Sequence, residues 1–325
     1  MKKLIAVGLL CNAALLSNHG QALALSDYNV IVAEDYNHAS AVWGRTFVGG
    51  NVYSSGGEFA TRQPRQPLED NVKVVGDISG NSINIQSGNV VYGGELTAQI
   101  NHNGGGSTIG GQAEALSAEK DTILNDLYSA TSTYESLSAN GDFGTNGNQA
   151  TFEYTGNDSL AVFNVNAADV FTQNTLLQLD SGLAETVIIN VSTAYKDDLV
   201  YDYDFYAPTG INFGEGFRAD ANDRNIGASN ILWNFYDASI LALNDLKVSG
   251  SVLAIYADIL SIGTTDGSIA ANSLIQDSQI HNYTFNTPSV VPLPASLQFM
   301  LIGMLGLVTF KRHFKNKAEK EVSIK

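Results

Sequence analysis

Short apolar runs broken by Gly, Asn, Asp and Ser recur along the chain from residue 25 to residue 287. Those polar residues favour turns, so the rhythm predicts an all-β chain of many short strands. Three early segments repeat one pattern: Val48-Gly49-Gly50-Asn51-Val52, Val74-Val75-Gly76-Asp77-Ile78 and Tyr92-Gly93-Gly94-Glu95-Leu96. Their glycines Gly50, Gly76 and Gly94 stand 26 and 18 residues apart. Later, Gly250-Ser251-Val252-Leu253-Ala254 is answered by Gly267-Ser268-Ile269-Ala270-Ala271 after a step of 17 residues. Such steps suit the rungs of a β-solenoid, each too small to bury its own apolar face and so obliged to stack on its neighbours. A β-sandwich with coincidental glycines is the alternative.

One stretch departs from this rhythm. From Gln112 to Ala139, Leu116, Ile123, Leu127, Ala130, Tyr134 and Leu137 recur at helical spacing, which predicts one long amphipathic helix over 112–139. Its stripe is expected to cover the flank of the solenoid, and Asn140-Gly141 to end it, because glycine enters the left-handed conformation without a Cβ clash. The expected fold is therefore an all-β, right-handed β-solenoid (β-helix) with a long α-helix packed alongside. Thr151-Phe152-Glu153-Tyr154, Leu160 to Val165, Leu176 to Leu179 and Thr186 to Val191 resume the strands after the helix.

The two ends read differently. Met1-Lys2-Lys3, an apolar stretch from Leu4 to Leu16, and small residues at Ala22 and Ala24 have the layout of a signal peptide over 1–24 with cleavage after Ala24. Cys11 lacks the small residue expected just before a lipidated cysteine. Near the other end, Leu293 to Phe310 forms an apolar run long enough to barely span a ~30 Å hydrocarbon core as a helix. Lys311-Arg312 follows at once, and cationic residues favour the cytoplasmic side. Both ends place the region between them outside the cell.

Charge sharpens that picture. Of the formal net charge of −16, residues 1–24 carry +2 and residues 289–325 carry +4, which leaves −22 on residues 25–288. Such a field repels phosphates, so nucleic-acid binding is disfavoured, while cations and basic partners are attracted. After Cys11 there is no cysteine, so an exported domain of this length must be held by packing rather than by disulfides.

Three regions resemble a known family. Leu25-Ser26-Asp27-Tyr28-Asn29-Val30-Ile31-Val32, continuing through Gly44 to Val52, resembles the opening of the choice-of-anchor A domain of bacterial surface proteins. Ile231-Leu232-Trp233-Asn234-Phe235-Tyr236-Asp237-Ala238, Gly250 to Ala254, and Gly267 through His281 to Phe285 resemble its closing block. The resemblance covers about residues 25–287 and implies an adhesive domain joined to an anchor. Val291-Pro292-Leu293-Pro294-Ala295-Ser296, followed by the apolar run and Lys311-Arg312, is similar to the PEP-CTERM sorting signal handled by exosortase. Leu293 departs from the commonest form, and a plain membrane anchor is the alternative. The late repeats with a helix alongside also resemble ice-binding β-solenoids, although Thr264, Thr265, Thr284 and Thr287 show no regular rung spacing.

Catalytic chemistry is thin. His38, His102 and His281 are the only histidines between the ends, widely separated, and each is read as a surface or turn residue. A solenoid lyase would need a basic catalytic residue, yet residues 25–288 hold only nine lysines and arginines with no visible cluster. No enzymatic activity is expected. The most unusual stretch is Tyr195 to Tyr206, where strict alternation puts Tyr201, Tyr203 and Phe205 on one face and Asp202 and Asp204 on the other. Tyr201, Asp202, Tyr203 and Asp204 are candidates for sugar stacking or Ca²⁺. A strand with an aromatic core side and a solvated acidic side explains the same pattern. Turns such as Asn222-Asp223-Arg224-Asn225 could hold calcium too, although these residues also bond their own backbone. Trp43 and Trp233 are expected in the core. The domains expected are thus a leader (1–24), an adhesive solenoid (25–287) and a sorting segment (288–325) with its membrane helix at 293–310. The expected partners are an exosortase-type enzyme, an exopolysaccharide or another surface, and the membrane.

Overall fold

A computed structural model of the protein describes residues 23–194, 203–217, 226–244 and 246–288. Ten strands hydrogen-bond side by side in one sheet, all parallel. Their spatial order is Thr108–Ile109, Asn89–Tyr92, Asp70–Val74, Thr46–Val48, Val30–Val32, Ile269–Gln276, Ser251–Ser261, Ile231–Asn234, Thr186–Ser192 and Leu160–Asn166. Two further faces run beside it, so that successive strands of the chain turn corners and coil into a β-helix. At ~4.8 Å per strand the ten-strand face is about 43 Å long.

The repeats follow from how the coils stack. Val48 pairs with Val74 and Val74 with Tyr92, while Val52 pairs with Ile78 and Ile78 bridges Leu96. Each Gly-Gly or Val-Gly corner therefore sits above the one before. A Cβ on Gly50, Gly76 or Gly94 would lie 2.6–2.8 Å from the main chain of Glu34, Gly50 and Gly76 respectively, so the coils approach too closely for any side chain. The residue after each corner ties it to the next. Asp35 Oδ1 accepts from Asn51 N, Asn51 Oδ1 from Asp77 N, and Asp77 Oδ1 from Glu95 N, at 2.7–2.9 Å. The repeated glycine and its Asx neighbour are thus two parts of one corner.

The stack order is not the chain order. The first coil pairs with the last, Val30↔Ile269 to Val32↔Ala271, and the chain winds outward from there to Thr108–Ile109. A helix, α1 (Ala113–Glu135), then carries it back along the ten-strand face to the far end, where Leu160–Asn166 begins the return. At ~1.5 Å per residue its 23 residues span about 35 Å, most of that face. Leu116, Ile123, Leu127, Ala130 and Tyr134 are buried, as the helical spacing predicts. The coils beneath therefore bury both sides of their strands: Val30 and Val32 point into the solenoid, and Ile31 is covered too.

The helix ends at Glu135, short of the expected 139, and Asn140-Gly141 does not cap it. Ser136 is the cap, and an asparagine ladder ties the helix end to the sheet. Asn164, Asn190 and Asn234 stack in register, bonded Nδ2 to Oδ1 at 2.9 Å. Each also donates to a carbonyl at the end of the helix or just past it, of Leu137, Tyr134 and Thr131 respectively. Of the last four helix carbonyls the ladder reaches that of Tyr134, which also accepts from Leu137 N, while Ser136 serves those of Ser132 and Thr133. Asn140 bridges instead to Leu160 and Val162 of the neighbouring strand.

Trp233 lies buried among Phe152, Phe171, Phe213 and Phe217, as expected of a core residue. Trp43 does not; it is half-buried, with its ring in contact with the Arg62 guanidinium and the His281 imidazole. His38 also departs from the surface reading. Its side chain points inward two positions after Tyr36, is fully buried, and stacks on Phe59 with ring centres 4.0 Å apart. Ala24, the expected cleavage position, is buried, and its amide donates to Asp126 of α1. Ala22, the span 293–310 and the residues Val291, Pro292, Leu293, Pro294, Ala295, Ser296, Lys311 and Arg312 lie outside the described residues. Among the described residues no helix is long and apolar enough to cross a membrane.

Candidate functional site

The second face of the β-helix is left open by the helix. It is built from seven strand segments in the spatial order 78–80, 52–54, 36–38, 273–276, 258–261, 240–242 and 204–206, all parallel. Six spacings of ~4.8 Å make it about 29 Å long. Ile78, Val52, Tyr36, Leu274, Ile259, Leu241 and Phe205 point inward in one row and are buried. Period-two alternation then forces the residues on either side of that row outward.

The outward row after it reads Ser79, Tyr53, Asn37, Ile275, Leu260 and, past Ala242, Tyr206. Four of its members are large apolar residues left in solvent: Tyr53 is 44% exposed, Ile275 44%, Leu260 38% and Tyr206 59%. Lone apolar residues on a surface need no explanation, but here four stand in one row of one sheet face. At the corner leading into this face Tyr256, also exposed, stacks on Tyr128 of α1 with ring centres 5.2 Å apart.

The outward row before it reads Asp77, Asn51, Asp35, Ser273, Asp258, Ile240 and Asp204. Asp35 and Asp77 each engage Oδ1 in the corner ladder, and Asp258 Oδ1 accepts from Asn272 and Ser273. The Oδ2 oxygens of all three accept no hydrogen bond within the described residues. None of the seven segments carries a lysine or arginine. The face is thus an apolar file running beside a file of carboxylates.

The tyrosine-rich stretch feeds this face only in part. Tyr201 and Asp202 lie outside the described residues, as do Asn222 to Asn225. Phe205 turns inward and Asp204 outward, as alternation requires, with Asp204 Oδ1 accepting from Ser239 Oγ. Tyr203 precedes the strand and is exposed rather than sharing the buried side of Phe205, because regular pairing starts only at Asp204. Among the described residues no group of three His, Cys, Asp or Glu side chains is placed to hold a metal ion. The exposed file itself was missed in the sequence, since each coil contributes a single member.

On the third face, His281 Nδ1 bonds Asp266 Oδ1 at 2.5 Å, Lys247 Nζ lies 3.4 Å from Asp266 Oδ2, and the Trp43 ring packs at a tilt against His281. His102 Nε2 bonds Thr108 Oγ1 near the outermost coil. The three histidines stay apart, and burial lowers the pKa of His38 to about 4, which keeps it neutral. The main chains of Ser40 and Glu58 pull the other way, but neither meets hydrogen-bonding geometry, so burial decides.

A parallel β-helix with a helix along one side and a broad open sheet on another is the class of fold described. The chain belongs to the family of the "Putative Ice-binding-like adhesive domain", whose match spans residues 22–282. The ice-binding protein of the Antarctic ascomycete Antarctomyces psychrotrophicus is similar at 12% identity over 81% of this chain and 97% of that one. Its TM-score is 0.23, and at that value the likeness carries no structural argument. None of the curated proteins matches the chain.

Proposed function

We propose that this protein is an exported, non-enzymatic adhesive module that contacts surfaces through the open seven-strand face. One observation carries the reading: the file Tyr53, Ile275, Leu260 and Tyr206 stands in solvent on a single sheet face, where a chain with no partner would be expected to place polar residues. Membership of an adhesive, ice-binding-like family supports surface binding and an extracellular or cell-surface location. The leader over 1–24 supports export. The segment from Val291 to Ser296 with Lys311-Arg312 supports sorting by an exosortase-type enzyme, after which the domain contributes to attachment, biofilm or an exopolysaccharide matrix. Cells producing the Tyr53→Ser/Tyr206→Ser variant at the wild-type level should attach like a deletion strain. Unchanged attachment by those cells overturns the reading. Mass spectrometry of the native C-terminus tests the sorting step.

Ice binding is the second reading, favoured by the family description. It is met poorly by a face whose outward file mixes protruding tyrosines, aliphatics and a neighbouring carboxylate file rather than a regular array of small hydroxylated residues. Inhibition of ice recrystallisation by the full chain, lost on Tyr53→Ser/Tyr206→Ser, would establish it.

A further inference from the structure

We propose that the open face binds a linear, amine-bearing polysaccharide laid along the solenoid axis; this rests on the adhesive reading of that face and names its ligand class. Geometry sets the direction. The file crosses the strands, so its members repeat at ~4.8 Å, close to the length of one sugar in an extended β-linked pyranose chain. Tyr53 and Tyr206 stand five strands apart, about 24 Å, with Ile275 and Leu260 adjacent between them. An aromatic near each end and an aliphatic pair in the middle suit the apolar C–H faces of successive pyranose rings. A compact ligand would use one of these residues and leave the rest exposed.

Charge chooses among polysaccharides. The carboxylates of Asp35, Asp77 and Asp258 flank the apolar file and each leaves one oxygen without a hydrogen bond, and no cationic side chain of the seven segments offsets them. An acidic glycan would meet repulsion along its whole length, and a neutral one would leave these oxygens to water. A chain of glucosamine units places an ammonium on every ring, within reach of a carboxylate file that runs parallel to it. The bonds to Oδ1, from the corner ladder for Asp35 and Asp77 and from Asn272 and Ser273 for Asp258, hold each aspartate in place before the ligand arrives, so little side-chain freedom is lost on binding.

The test is calorimetric titration of the full chain with a fully deacetylated chitin hexamer at mildly acidic pH. The fully N-acetylated hexamer, a cellulose hexamer and hexalysine are compared. The deacetylated hexamer should bind at least tenfold more tightly than either uncharged sugar and weaken as salt is raised. Tyr53→Ser/Tyr206→Ser should cost roughly tenfold. Asp35→Asn/Asp258→Asn, which keeps the Oδ1 acceptors, should bring the deacetylated hexamer down to the level of the acetylated one. Asn37→Lys, an exposed change in the middle of the file, should abolish binding without altering the melting temperature. Equal binding of all three sugars, or none by the deacetylated hexamer, overturns the proposal. So does hexalysine binding as tightly with no dependence on the tyrosines, which would point to a basic peptide. If attachment still falls in the tyrosine variant while no sugar binds, the ligand class fails and the adhesive face stands. If attachment does not fall, the face itself is the wrong one.

Discussion

Replacing Asn29 by alanine should open the seam that closes this fold. Asn29 is fully buried where the first coil meets the last. Its Nδ2 donates to Gly267 O at 2.8 Å and to His281 O at 2.9 Å, and its Oδ1 accepts from Gly44 N at 2.9 Å. One side chain thus joins segments 238 and 252 residues away in sequence. Asn29→Ala removes three bonds, each contributing about 1 kcal/mol net, for a loss near 3 kcal/mol. Leaving Gly267 O and Gly44 N buried and unpaired raises the loss towards about 5 kcal/mol, and entry of a water would bring it back. For a domain of this size each kcal/mol moves Tm by about 2–4 °C, so the melting temperature should fall by about 6 °C or more. Urea unfolding followed by circular dichroism measures the loss, with the slope unchanged if the folded and unfolded surfaces are the same. Asn37→Ala, an exposed change on the next face of the same coil, is the control and should stay within about 0.5 kcal/mol. A loss below about 1 kcal/mol for Asn29→Ala, or one no larger than the control, would show that the seam is held by strand pairing alone.

Other changes probe other parts of the same scheme. Because folded His38 takes a proton only below about pH 4 while the unfolded chain does so at 6.5, the unfolded state binds more protons between those values. Stability should therefore fall by about 3 kcal/mol as pH drops from 6.5 to 4, and His38→Leu should remove that part of the pH slope in denaturant titrations. Asn190→Leu breaks the middle of the asparagine ladder, removing the donor to Asn164 Oδ1, one acceptor of Asn234 Nδ2 and the side-chain bond to the Tyr134 carbonyl, at a cost of about 2–4 kcal/mol. Hydrogen exchange should quicken first in the last turn of α1, and uniform quickening would argue against a local role. Gly76→Val drives a side chain into Gly50 O and Asn51, so about 3 kcal/mol or more should be lost and soluble yield should drop, whereas Gly144→Val, open to solvent, should not matter in that way.

What could be read from the chain, and what could not, divides by distance along it. The corner repeats were legible because each coil must turn in the same manner as its neighbour, so Gly50, Gly76 and Gly94 return whenever the chain does. The helix was legible because its buried stripe is a local period. His38 carried a readable signal that the surface reading overlooked: Tyr36 faces inward, and two residues on, in a strand, means inward again. Trp43 carried none, since its partners Arg62 and His281 come from elsewhere in the stack. The same distance hid the joining of the first coil to the last, because pairing Val30 with Ile269 leaves no mark in either local pattern. It hid the exposed file of the open face most completely. Tyr53, Ile275, Leu260 and Tyr206 become neighbours only after the chain has wound out, returned along α1 and wound back, so the file belongs to the stacking order alone. That has a consequence for any variant that disturbs the return path. Loosening α1 or its asparagine ladder would shift the coils carrying Leu260 and Tyr206 against those carrying Tyr53 and Asn37. Binding would then be weakened at a distance, with every contact residue still present.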